Sequence, residues 1–166
     1  MATVHFQGKP IQTSGTLPKQ GEKAPDFTLT AQDLSDITLR QYQGHRVILN
    51  IFPSLDTPVC AASVRRFNQE AISLKKTIVI CISADLPFAQ QRFCSSNGLE
   101  KVKNASVFRS PEFGQSYGVT IGDGPLRGLL ARAVVVIDAE GTVLHQELVP
   151  EIAQEPDYEA ALAPLR

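Results

Sequence analysis

Tryptophan is absent from this 166-residue chain, methionine occurs once, and cysteine occurs three times, at Cys60, Cys81 and Cys94. An odd number of cysteines with no Cys-x-x-Cys pair argues against a disulfide scaffold and leaves burial, catalysis or redox chemistry for each thiol. Charge of one sign is also lacking. Sixteen Lys and Arg face seventeen Asp and Glu, so no strong field draws the protein toward nucleic acid or a membrane surface. No block of like charge reads as a binding tail. No apolar run approaches the roughly 20 residues of a membrane span. The opening "MATVHFQGKP" has no apolar or basic leader region, so a cytoplasmic protein is the expectation. His5, His45 and His145 are far apart and show no metal-ligand spacing. "GDGPLRGLLAR" is glycine-rich but lacks the phosphate-loop pattern, which suits a loop edging a pocket and a subunit interface better. No metal and no cofactor are expected.

The length suits one domain over residues 1–166, with residues 1–17 as an N-terminal extension. "VHFQGKPIQT" reads as a β-hairpin, and the Gly-, Pro- and Lys-rich stretch after it as a connection into strand "FTL". "RVILNIFP", "TIVICIS" and "AVVVID" are near-continuous apolar runs, the pattern of strands covered on both faces. "ASVFR" is a further short strand. Asp138 and Gly141 predict a tight hairpin between "AVVVID" and "TVLHQELV". Cys60, Val64, Phe67, Ala71 and Leu74 fall on one face of a helix. "PFAQQRFCSSNG" predicts a second helix, opened by Pro87 and stopped by Gly98; "SPEFGQSYG" and "DYEAALAPL" predict two more. Phe27, Phe93 and Phe108 are assigned to the core. A β-α-β unit followed by a β-hairpin and a terminal helix is the plan of an α/β thioredoxin-like fold: a central mixed sheet flanked by helices, here with the hairpin extension in front.

Within "NIFPSLDTPVC", Pro53 cannot donate to a ladder and ends its strand. Thr57 is a good N-cap and Pro58 a favoured first helical residue, which puts Cys60 at the third helical position. Free N–H groups and the helix dipole favour an anion there, and a thiolate is one. Cysteine is also among the most buried residue types, and Cys60 lies on the apolar face of its own helix. Asp56 nearby opposes a second negative charge. Helix position leaves both readings of Cys60 standing.

"PSLDTPVC" matches the peroxiredoxin pattern of Pro, three residues, Thr, two residues, Cys. Together with "LNIFPSLDTPVCAASVRRFN", "CISADLPFAQQRFC", "YGVTIGDGPLRGLLARAVVVID" and "EPDYEAAL", it makes the chain resemble the bacterial thiol peroxidases, an atypical two-cysteine branch of the peroxiredoxins, from about Val4 to the C-terminus. The resemblance implies that Cys60 is the peroxidatic cysteine and Cys94 the resolving one. It further implies that Thr57 bonds the thiolate and the peroxide, that Pro53 shields the pocket, and that Arg132 faces the thiolate. Hydrogen peroxide and organic hydroperoxides are the implied substrates, thioredoxin the reductant and a homodimer the assembly. Disulfide formation would then require both helix ends to loosen, since bridged cysteines need Cα atoms within about 7 Å.

Making a thiolate cannot by itself supply the catalysis. Lowering a thiol pKa from about 8.5 to about 6 raises ionisation at pH 7 roughly thirtyfold. Falling nucleophilicity takes back roughly tenfold. Donors aimed at the departing oxygen are each worth about a hundredfold or more, so Arg132, Thr57 and the first-turn N–H groups are the groups to examine. Cys81, inside "TIVICIS", reads as a small core hydrophobe. Cys94 precedes "SSNG", a frayed and accessible helix end. Arg65 and Arg66 read as a solvated helix face. Two other functions compete with the peroxidase: a protein thiol–disulfide oxidoreductase, disfavoured by the missing Cys-x-x-Cys, and a redox-sensing binding module.

Overall fold

The computed structural model describes residues 1–166. Two short strands, β1 (Thr3–Phe6) and β2 (Lys9–Gln12), form the N-terminal hairpin, turned by Gln7 and Gly8 at φ +53° and +79°. The remaining strands are β3 (Thr28–Ala31), β4 (Asp36–Thr38), β5 (Arg46–Ile51), β6 (Thr77–Ser83), β7 (Val102–Ser106), β8 (Ala133–Ile137) and β9 (Val143–Leu148). They form one seven-stranded sheet in the order β4-β3-β7-β6-β5-β8-β9. The helices are α1 (Pro58–Ala71), α2 (Pro87–Asn97), α3 (Pro111–Tyr117) and α4 (Tyr158–Leu162). β5, β6 and β7 run parallel, joined by α1 and α2, whereas β8 and β9 join antiparallel. This is the expected thioredoxin-like plan with a hairpin in front.

Alternation along the central strands separates two core layers. Val47, Leu49 and Ile51 of β5 join Ile80, Ile82, Val135, Phe27, Phe113 and Tyr117 on one face. Ile48 and Phe52 face the other way, with Val79, Val134, Val64, Phe67 and Leu162. Cys60, Cys81 and Cys94 all lie in this second layer. The thiols thus share one side of the sheet, under α1, α2 and α4.

Five points of the sequence reading need correction. β4 was not foreseen, because three residues carry too little pattern to register. The strand sought in "ASVFR" is β7 at Val102–Ser106; Lys103 and Asn104 hide its apolar alternation, and Val107–Arg109 turn away toward α3. Phe108 is 46% exposed, with Arg109 over its ring face, and is no core residue. Phe93 is half-buried beneath Arg65. Arg66, in turn, is more than a solvated charge: it pairs with Glu70 and Glu159 and lies over the Tyr158 ring.

Candidate active site

The last ladder bond at the end of β5 is donated by Phe52 N–H to the Ile82 carbonyl at 3.1 Å; the buried Pro53 has no N–H to continue it. The chain then turns through Ser54–Thr57 into α1. Thr57 is the N-cap residue, Pro58 follows it, and Cys60 stands third in the helix. The Thr57 hydroxyl does not cap; it donates to the Ser54 carbonyl at 3.1 Å. The first helical hydrogen bond runs from Ala61 N–H to the Thr57 carbonyl at 3.0 Å. The N–H groups of Val59 and Cys60 therefore have no helical partner.

Cys60 has no exposed surface and is a free thiol. Its first turn is pinned from below: Ser63 Oγ donates to the Cys60 carbonyl at 2.8 Å, and Asn50 Nδ2 in β5 donates to Ser63 Oγ at 3.2 Å. Arg132 arrives from the far end of the chain by strand register. Ile51 pairs with Ala133, so the residue before Ala133 lies beside the end of β5, where the Cys60 loop begins. Arg132 Nη2 donates to Cys60 Sγ at 3.1 Å, and Nε donates to the Ile152 carbonyl at 2.7 Å. Arg132 is 1% exposed, and its Nη1 is buried without a partner. A buried guanidinium nitrogen without an acceptor is costly, so a site that keeps one has room in its chemistry for an oxygen. The Ile152 carbonyl is itself fixed by the N-terminal hairpin: His5 N–H donates to the Pro150 carbonyl at 2.7 Å, and Ile152 N–H donates to the His5 carbonyl at 2.9 Å.

Cys94 departs from the accessible, frayed position expected of it. It is 6% exposed, and Asn104 Nδ2 in β7 donates to its sulfur at 2.9 Å. The end of α2 is capped rather than frayed: Gly98 sits at φ +65°, and the N–H groups of Gly98 and Leu99 both reach the Cys94 carbonyl. Burial pushes the Cys94 thiol pKa up, against the N–H bonds that favour its thiolate. Cys81 is fully buried, with Asn50 Nδ2 3.7 Å from its sulfur, and burial pushes its pKa up to about 12.

Of the five residues singled out from the sequence, Cys60 and Arg132 are in direct contact, Pro53 and Thr57 flank them on the connecting loop, and Cys94 is buried in the same core layer on its own helix. Sequence reasoning passed over Asn50, Ser63, Asn104, Ser54 and Asp85, which hold these residues in place. For Asn50, Asn104, Ser54 and Asp85 the one signal was a polar residue inside or just beyond a strand; Ser63, on the buried face of α1, gave none. A cleft of about 210 Å³ lined by Lys23, Arg40, Tyr42 and His45 lies at the opposite end of the strands and holds no thiol. No group of three or more His, Cys, Asp or Glu is placed to hold a metal ion, and no helix is long and apolar enough to cross a membrane.

Known proteins share this chain's sequence and fold. A family model described as Redoxin matches residues 19–162, all but the hairpin and the last turn. The thiol peroxidase of Mycobacterium tuberculosis is 59% identical over 165 residues, covering 99% of each chain. A peroxiredoxin-like protein from Aquifex aeolicus superposes with a TM-score of 0.93 at 39% identity, over 99% of this chain and 96% of that one. A thiol peroxidase from Chromobacterium violaceum, at 24% identity, shares the fold with a TM-score of 0.89 over 98% of this chain and 94% of its own. With the matched segment spanning every strand of the main sheet and both cysteine-bearing helices, the chain belongs to the Redoxin family, among its thiol peroxidases.

Proposed function

We propose that this protein reduces hydroperoxides, with Cys60 as the nucleophile and Cys94 as the resolving thiol. The observation that carries the reading is the contact of Arg132 Nη2 with Cys60 Sγ at 3.1 Å, made by a guanidinium whose Nη1 is buried and free. The Cys60 thiolate attacks the terminal oxygen of ROOH. The S–O bond forms as the O–O bond breaks, leaving the sulfenic acid and, after proton uptake, the alcohol or water. Charge grows on the departing oxygen during this step. Arg132 Nη1 and the unpaired N–H groups of Val59 and Cys60 are donors already in place for it, at no cost in reorganisation. Thr57 turns its hydroxyl from the Ser54 carbonyl to the thiolate and peroxide, and Pro53 keeps water from the sulfur. The Cys94 thiol then condenses with the sulfenic acid, forming the S–S bond and releasing water.

A dithiol of the thioredoxin kind is the reductant we assign, since it exchanges into an intramolecular disulfide and returns both thiols. A homodimer in the cytoplasm is the setting that follows. The test is peroxide turnover with thioredoxin and its reductase. Wild type should consume many equivalents of hydroperoxide per subunit. Cys60→Ser should be inactive. Cys94→Ser should consume one equivalent and stall. A single equivalent consumed by wild type would point instead to a sensor, and full turnover by Cys60→Ser would remove Cys60 from the chemistry.

A further inference from the structure

Asp85 lies within the stretch "CISADLPFAQQRFC", but no role was assigned to it from the sequence. It lies in the connection between β6 and α2, and its carboxylate gathers three hydrogen bonds. Ser54 Oγ donates to Oδ1 at 2.8 Å; the Leu55 N–H and Ser83 Oγ donate to Oδ2 at 2.8 and 2.7 Å. Ser106 Oγ at the end of β7 donates to the Asp85 carbonyl at 2.6 Å. Ser54 passes the connection on into the Cys60 loop. Its Oγ accepts the Asp56 N–H at 3.1 Å, and its carbonyl accepts both the N–H and the hydroxyl of Thr57 at 3.3 and 3.1 Å. On the other side, α2 begins two residues after Asp85, and Gln90 Nε2 ties that helix to Ser83 Oγ and to the Ala105 carbonyl at 3.2 and 3.1 Å. One carboxylate thus joins the loop before Cys60 to the start of the helix that carries Cys94.

Hydrogen bonds to an ionised carboxylate are the strong kind, and groups sharing one acceptor lose their partner together. The loop and the helix start are therefore fastened as a unit. Both thiols are buried as the chain stands, so a Cys60–Cys94 bond needs this unit to open. α2 is the lightly anchored side: it buries only Pro87, Gln90 and Cys94, against five residues in α1.

We infer that Asp85 is a positioning residue that sets the balance between the closed form, in which Cys60 meets hydroperoxide, and the opened form, in which it meets Cys94. This rests on the roles proposed above for the two cysteines. The sulfenic acid has two fates. Condensation with the Cys94 thiol forms the disulfide and releases water. A second ROOH instead transfers an oxygen, giving the sulfinic acid and ROH. Loosening the Asp85 fastening slows the first attack on peroxide and speeds the disulfide, so it moves the two steps in opposite directions.

The test uses the full chain with Asp85→Ala, Asp85→Asn and Ser54→Ala. Cys60 oxidation is timed by competition with a reporter peroxidase. The shares of disulfide and sulfinic acid are read by mass spectrometry across a hydroperoxide series. Asp85→Ala should slow Cys60 oxidation about tenfold and need about tenfold more hydroperoxide for the same sulfinic share, the scale set by losing one or two such bonds. Ser54→Ala and Asp85→Asn, which keep part of the fastening, should shift both readouts the same way by less, and they carry the test if Asp85→Ala does not fold. Slower oxidation with an unchanged or larger sulfinic share would make Asp85 a structural support only and overturn the inference, as would no change in either. Sulfinic acid without any Cys60–Cys94 disulfide in wild type would overturn the role of Cys94, and this inference with it.

Discussion

Arg132 is held at two of its three guanidinium nitrogens and free at the third. Nε is fixed on the Ile152 carbonyl, Nη2 on Cys60 Sγ, the residue is 1% exposed, and Nη1 has no acceptor. A guanidinium fixed in this way presents a planar fork that an ammonium cannot reproduce. Arg132→Gln should lower the second-order rate with hydroperoxide about a hundredfold or more. If the arginine worked mainly by ionising the thiol, raising the pH until the variant is fully thiolate would restore the rate. The expected result is that the deficit persists on that alkaline plateau, with ionisation followed by thiolate absorbance. Arg132→Lys should recover little, since it keeps the charge but gives up the fork.

Two helices, α2 and α3, end in ways that can be told apart by mutation. α2 stops on Gly98 at φ +65°, where an added Cβ would meet nothing within 4 Å. Gly98→Ala should therefore cost only the left-handed backbone penalty, about 1 kcal/mol. α3 stops on Gly118 at φ +69°, where a Cβ would lie 2.3 Å from the Thr16 backbone nitrogen. Backbone cannot step aside as a flexible side chain can, so Gly118→Ala should cost about 3 kcal/mol or more. Urea denaturation of the two variants checks the contrast. Equal losses would mean that the segment around Thr16 yields more readily than its packing implies.

Across the whole molecule, the sheet divides the chemistry from the ballast. The layer with Phe27, Phe113 and Tyr117 carries no thiol, while the layer beneath α1, α2 and α4 carries all three. The most deeply held of them gives a pH-dependent signature. Cys81 has an ordinary value of 9.0 and a folded one of about 12, raised by burial. Above pH 9 the unfolded chain gives up this proton first, so the folded state binds more protons and loses stability as pH rises through the window from 9.0 to about 12. At pH 10 this amounts to about 1 kcal/mol relative to pH 8. Cys81→Ala should be less stable at pH 8, through the lost packing, but should fall less steeply between pH 8 and pH 10 when urea midpoints are compared. An identical slope in both proteins would mean that the Cys81 thiol is not held neutral by the fold. The hairpin also acts at this scale. His5 fixes the Pro150–Ile152 segment, whose Ile152 carbonyl orients Arg132 from outside the main sheet.

Several features needed only neighbouring residues. The unbroken apolar runs of β5, β6 and β8 read as covered strands, Thr57 and Pro58 put Cys60 third in its helix, and Gly98 marked the end of α2. Each rests on local backbone preference or on a spacing of a few residues. What lay outside that reach depended on partners far away in the chain. Cys94 looked exposed because the polar residues after it are, yet Asn104 and the core cover it. Phe108 looked buried because it is aromatic, yet the chain leaves the sheet just before it. Asp85 was indistinguishable from any loop acid until Ser54, Leu55 and Ser83 closed around it. Cys60 and Arg132 are 72 positions apart, and only the register of β5 against β8 brings a guanidinium to that sulfur. Whether Cys60 is a packing residue or a reactive one is a property of that encounter, because the electrostatics that activate a thiol act over a few ångströms of space and not along the chain.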